Sequence, residues 1–265
     1  MTATRGRRWR VVVLTIAAVY FLLPLLAAAE FSLRVPGVGY GLTNWLAIAR
    51  DPVLLAALGT SLQIAVVTAV VVLALVVPTA VWVRLQLPGL AGVLESATIL
   101  PIVIPPVVMA AGIAFVQANL GGPVFRTLFA SSTTALTPFY VILALPFAYR
   151  AVDNGLAAIP LRTLVEAARN LGATLPTALL RVVLPSIRSA VLGAAFLTLA
   201  LVLGEIVIAR ILLYTDTFPV AIVEVGRSQA GVAVALSLAS LLITWVLLLA
   251  VSLAGGRRSR AEGAS

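Results

Sequence analysis

The sequence predicts an all-α membrane protein with six transmembrane helices and a helix-turn-helix segment in the loop between the fourth and fifth. Three observations carry this reading. The 265-residue chain is 62% hydrophobic and only 10% charged, with mean hydropathy +1.15, which leaves too little polar surface to clothe a water-soluble globule. Uncharged windows long enough to cross a bilayer recur along it. One connection, around Glu166, is amphipathic instead.

A hydrocarbon core about 30 Å thick needs roughly 20 apolar helical residues. Six windows qualify: Val11–Ala29, Pro52–Val83, Ser96–Gln117, Thr127–Tyr149, Ser189–Ala209 and Ala230–Gly256. Backbone polar groups find no water in lipid, so helices are the expected form, and the alternation of barrel strands is absent. The first window also fits a signal peptide, with arginines at 5–10 ahead of an apolar run and Ala27-Ala28-Ala29 as a small-residue cleavage site. Kept or removed, it leaves the loop around Glu166 on the same side.

Arginine placement orients the spans. The N-terminal segment (Arg5, Arg7, Arg8, Arg10), the second loop (Arg84), the fourth loop (Arg150, Arg162, Arg169, Arg181, Arg188) and the tail (Arg257, Arg258, Arg260) hold thirteen of the 18 basic residues. The alternate loops hold Arg34, Arg50, Arg126, Arg210 and Arg227. By the positive-inside rule both termini and the Glu166 segment are cytoplasmic. The net charge of +9 is read as a membrane-surface feature, with no nucleic acid implied.

Within the third window, Pro101, Pro105 and Pro106 each remove a backbone donor and crowd the preceding turn, so this helix is expected to kink or break. Irregular backbone at membrane depth is tolerated against protein or a wet cavity. These prolines are therefore candidate pathway-lining residues, with a simple packing kink as the other reading. Glu205, the only charge in the fifth window, is costly at depth and should face the bundle interior or water. It pairs with an arginine or backbone groups, or it lines the route and attracts a cation.

From Leu161 to Leu175, Leu161, Leu164, Val165, Ala168, Leu171 and Leu175 recur at helical spacing, with Arg162, Glu166, Arg169 and Asn170 on the other face. Gly172 is placed to end this helix, and Pro176 to open a second short one that runs to Leu184-Pro185. Ala167, Ala168 and Gly172 offer little bulk, and Glu166 and Arg169 offer directed contacts, which suits docking into a partner groove. Thr163-x-x-Glu166 also fits a capping box.

The chain has no Cys, His or Lys, which removes disulfides, His/Cys metal sites and His-based triads. No cofactor is expected. A lysine-free chain has no P-loop, so any ATP is bound elsewhere.

The hairpin resembles the cytoplasmic signature of integral-membrane permease subunits of binding-protein-dependent ABC importers: Glu-Ala-Ala, three residues, Gly, nine residues, an aliphatic, one residue, Leu-Pro. Glu166, Ala167 and Ala168 are followed, with Arg169 in the spacer, by Gly172, Val182, Leu184 and Pro185. Val182 stands where isoleucine is commoner. Similarity extends less sharply from about Asp51 to Leu253. The resemblance implies residues 1–50 as cytoplasmic arm, first helix and external loop, 51–253 as permease domain with a coupling loop at 150–188, and 254–265 as cytoplasmic tail. It implies a non-enzymatic subunit of a prokaryotic cytoplasmic membrane. Its partners are two ATP-binding subunits that receive the hairpin, a second permease subunit and an extracytoplasmic substrate-binding protein.

The run Leu203–Gly226 looks most like spermidine and putrescine permeases, while relatives for ferric iron, thiamine, phosphonate or molybdate share parts of it. A secondary transporter would usually need more intramembrane titratable groups than Glu205. A membrane-embedded enzyme would need a nucleophile, metal or acid–base pair that this composition scarcely supplies.

Overall fold

The computed structural model describes residues 2–119, Gly122 and 133–256. The start of the expected fourth window and the tail from residue 257 lie outside them. The chain divides into two units, Met1–Leu55 with Ile222–Ile243, and Ala56–Ala221 with Thr244–Ser265.

In the first unit, α1 (Thr2–Leu33) is apolar and leads into a two-stranded antiparallel ribbon, β1 (Arg34–Val35) and β2 (Gly39–Tyr40). Gly37 and Gly39, at φ +80° and +99°, make the turn. Glu30 Oε1 accepts from Arg34 Nε and from the Tyr40 hydroxyl, each at 2.7 Å. On α2 (Thr43–Arg50), Asn44 Nδ2 donates to the carbonyls of Ser32 at 2.8 Å and Arg34 at 2.9 Å. Side-chain capping of main-chain carbonyls thus fixes the exit from α1.

The second unit holds most of α3 (Pro52–Gln86), then α4 (Ala91–Val103), α5 (Pro106–Asn119), α6 (Thr137–Ala157), α7 (Leu161–Asn170), α8 (Leu175–Ser186), α9 (Arg188–Gly204) and α10 (Val207–Ile211). Next come α11 (Phe218–Gly226) and α12 (Ala230–Gly256). Among the described residues five helices are long and apolar enough to cross a membrane, and α4 with α5, bent by 88°, supply another if they form one span. The third window is therefore two helices. α4 ends at Ile104 in an extended conformation and α5 restarts at Pro106, where the prolines deny the ladder its donors.

α3 carries 35 residues, about 50 Å of helix against a hydrocarbon core of about 30 Å. Toward its C-terminal end, Val76, Val77, Ala80 and Val81 share a core with Val152 and Leu156 of α6, Leu161 and Val165 of α7, and Val183 of α8. Gly155 of α6 lies so close to Ile187 and Ala190 that a Cβ there would collide with the Ala190 methyl. Small residues at such crossings let membrane helices approach where lipid offers no hydrophobic drive. A second core gathers Ile64 and Ala65 of α3, Ala110 of α5, Tyr140 of α6, Val202 and Leu203 of α9, and Ile208 and Ala209 of α10.

Candidate functional site

The segment around Glu166 is two short helical arms joined by a tight turn. α7 closes with the Gly172 amide donating to the Arg169 carbonyl at 2.9 Å and the Ala173 amide to the Ala168 carbonyl at 3.0 Å. Those two bonds form a Schellman motif, and Gly172 takes its left-handed position at φ +88°. Pro176 sits in the first turn of α8, where its missing donor costs nothing. Part-way along α8 the residues Leu179–Val183 widen into a π-turn.

Burial sorts the signature residues. Leu161, Val165, Ala168, Ala178 and Val183 face inward, and Leu184 is half-buried. Glu166, Ala167, Arg169, Gly172 and Pro185 are exposed. Ala168, expected on the docking surface as well as on the apolar face, is a packing residue. Leu171 and Leu175, expected on the apolar face, are exposed, Leu171 at 89%. The helix ends at Asn170, and the left-handed turn swings Leu171 away from the core to the tip. The capping box does not form. Pro160 is the N-cap of α7, so Thr163 lies inside the helix, and no side-chain cap bond is made.

Glu205 closes α9 in an extended conformation. Its Oε1 accepts from the amides of Val207 at 2.8 Å and Ile208 at 3.1 Å, and its Oε2 from Ile208 at 3.1 Å. The fifth window is thus interrupted at Glu205-Ile206. The carboxylate satisfies two amides that the start of α10 leaves open, at the end of the helix dipole that favours negative charge. Of the expected pairings, backbone groups take these bonds. The buried Tyr140 hydroxyl lies against Glu205, close enough to interact with its carboxylate, and forms no well-aligned hydrogen bond among the described residues. α5 packs on α10, so the unit brings the half-span after Pro105-Pro106 and the half-span after Glu205 into one core. Pro101 sits inside α4 and is partly exposed.

Two features escaped the sequence reading. Arg84 at the end of α3 reaches Asp153 on α6, 69 residues away. Leu213, at φ +64°, holds a left-handed turn after α10, the Tyr214 amide donating to Ala209 at 2.8 Å and the Leu213 amide to Arg210 at 3.2 Å. The first has a signal, since lone charges at the ends of apolar helices seek partners. The second has none, because leucine does not announce a positive φ.

The fold is similar over 96% of this chain and 97% of the other to a chain of a bacterial ABC transporter involved in the import of the acidic polysaccharide alginate, at TM-score 0.69 and 15% identity. It also matches a chain of a bacterial alginate ABC transporter in complex with an alginate pentasaccharide-bound periplasmic protein, at TM-score 0.70 and 17% identity. No protein-family model matches the sequence. A probable molybdenum ABC transporter permease protein of Haloferax volcanii is 32% identical over 230 residues, covering 81% of this chain and 78% of that protein. The chain belongs to the ABC transporter permeases. Among the described residues the exposed hairpin and the interrupted spans both depart from plain membrane-crossing helix.

Proposed function

We propose that this permease is the translocation subunit of an ATP-driven importer and that α7–α8 is the element through which separate ATP-hydrolysing subunits act on it. The observation that carries this is the hairpin tip. Leu171, a large apolar side chain 89% exposed, precedes Gly172 and shares the exposed surface of the hairpin with Glu166 and Arg169, which make no side-chain bond among the described residues. An apolar knob with unpaired opposite charges around it is built for a groove in another protein. Two ATPase subunits, a second permease subunit and a substrate-binding protein outside complete the machine. The hairpin and both termini face the cytoplasm of a prokaryotic cell. The pathway passes Pro101, Pro105, Pro106 and Glu205, and Glu205 serves it by holding the break open.

For the substrate we favour an oxyanion of the molybdate type over a polyamine. The Haloferax relative is named for molybdenum. The acidic candidate for attracting spermidine, Glu205, is only 9% exposed and is spent on capping amides of its own chain, so nothing shows it presented to a cationic solute. The test is ATP hydrolysis and uptake by the purified complex in proteoliposomes, with binding protein loaded with molybdate or with spermidine. Stimulation by molybdate alone is expected. Stimulation by spermidine restores the polyamine reading, and a permease that purifies without ATPase subunits from its native membrane sinks the importer reading.

A further inference from the structure

Arg84 holds Asp153 in two ways at once. Its Nε donates to Asp153 Oδ1 at 2.7 Å, and its Nη2 donates to the Asp153 main-chain carbonyl at 3.2 Å. Both side chains are about two-thirds buried, at 31% and 30% exposure, so the pair is less screened than a surface one. Arg84, Asp153 and Glu95 of α4 all lie within electrostatic reach of Tyr149. The pair sits at the root of the hairpin, since α6 ends at Ala157 and α7 begins at Leu161.

Apolar contacts alone join α7 and α8 to α3 in the core they share. Such contacts are non-directional and let packed helices slide. A planar guanidinium forked onto a carboxylate and a carbonyl of one residue fixes register as well as distance. A push on Leu171 therefore reaches the turn at 158–160 between α6 and α7, next to a residue that is braced from α3.

We propose that Arg84 and Asp153 are a positioning pair that makes α3, α6 and the hairpin one lever, so that displacement of the hairpin is delivered to α3. This rests on the importer reading. Two measurements separate its failure from that of the reading. The first is ATP hydrolysed per molybdate delivered by the reconstituted complex. The second is the distance distribution between spin labels at Gln86 and Thr174 in the permease alone, which a chain without native cysteine allows.

Arg84→Ala and Asp153→Ala should each raise ATP consumed per molybdate about tenfold, a typical coupling between contacting partners, and broaden the label distribution. The swap Arg84→Asp with Asp153→Arg should move both back toward wild type. An unchanged ratio and an unchanged distribution in assembled alanine variants overturn the proposal. Where those variants do not assemble, Arg84→Lys, which keeps the charge and loses the fork, decides, and a wild-type ratio there overturns it. A wild-type complex whose ATPase ignores loaded binding protein counts against the importer reading instead, and the label distribution still decides the lever.

Discussion

Both carboxylate oxygens of Glu205 lie 3.1 Å from the amide nitrogen of Ile208, so an acidic side chain in an apolar span serves the main chain of its own helix break. Removing it leaves two buried amides open. Glu205→Ala should cost about 1–2 kcal/mol, the range for a lost cap and its charge-assisted bonds, read as a lower melting temperature of the purified permease. Glu205→Gln, which keeps one good acceptor, should fall between. An unshifted melting temperature in Glu205→Ala refutes the capping role.

Tyr140 gives the opposite expectation. Its buried hydroxyl faces Glu205 without a well-aligned bond, so Tyr140→Phe removes a desolvated polar group and loses at most a weak contact. The melting temperature should stay the same or rise. A marked fall would show that the hydroxyl is bonded in the working protein.

Gly172 and Leu213 share a left-handed backbone, at φ +88° and +64°, and differ in fitness for it. A Cβ on Gly172 meets nothing within 4 Å, so Gly172→Ala isolates the backbone term, about 1–2 kcal/mol of destabilisation. Leu213 is 84% exposed and forfeits little burial, so Leu213→Gly should stabilise by about 1 kcal/mol. Opposite signs in thermal melts check both. The same sign in both variants would mean that these turns are not left-handed.

Gly155→Ala tests the α6–α9 crossing. The added methyl collides with Ala190, and overpacking of this kind costs about 1–3 kcal/mol. Gly155→Ala combined with Ala190→Gly should recover most of the loss, and no recovery would place the cost elsewhere.

Leu171→Asp separates docking from folding. The side chain touches little of its own chain, so melting should be unchanged while ATPase stimulation by loaded binding protein falls at least about tenfold, as for a buried hot spot at an interface. Full stimulation would remove Leu171 from the contact.

The sequence by itself determined the composition-driven part of this protein. Apolar runs of bilayer length, an arginine bias, a proline pair, Pro105-Pro106, that breaks the third window, and a glycine that ends α7 are local rules written in consecutive residues. The spacing from Glu166 to Pro185 was legible for the same reason, since a motif carries its geometry in its own short span. Tertiary structure alone decided which residues of that motif face out. Ala168 turns to the core and Leu171 to solvent because α7 packs on α3 and ends at Asn170, short of the apolar pattern that runs on to Leu175. It alone decided the partner of Glu205, where carboxylate and amides meet only once α9 has broken. It alone joined Arg84 to Asp153 across 69 residues, because a pairing of distant charges depends on where helices cross, and helix crossing is set by packing that no local pattern encodes.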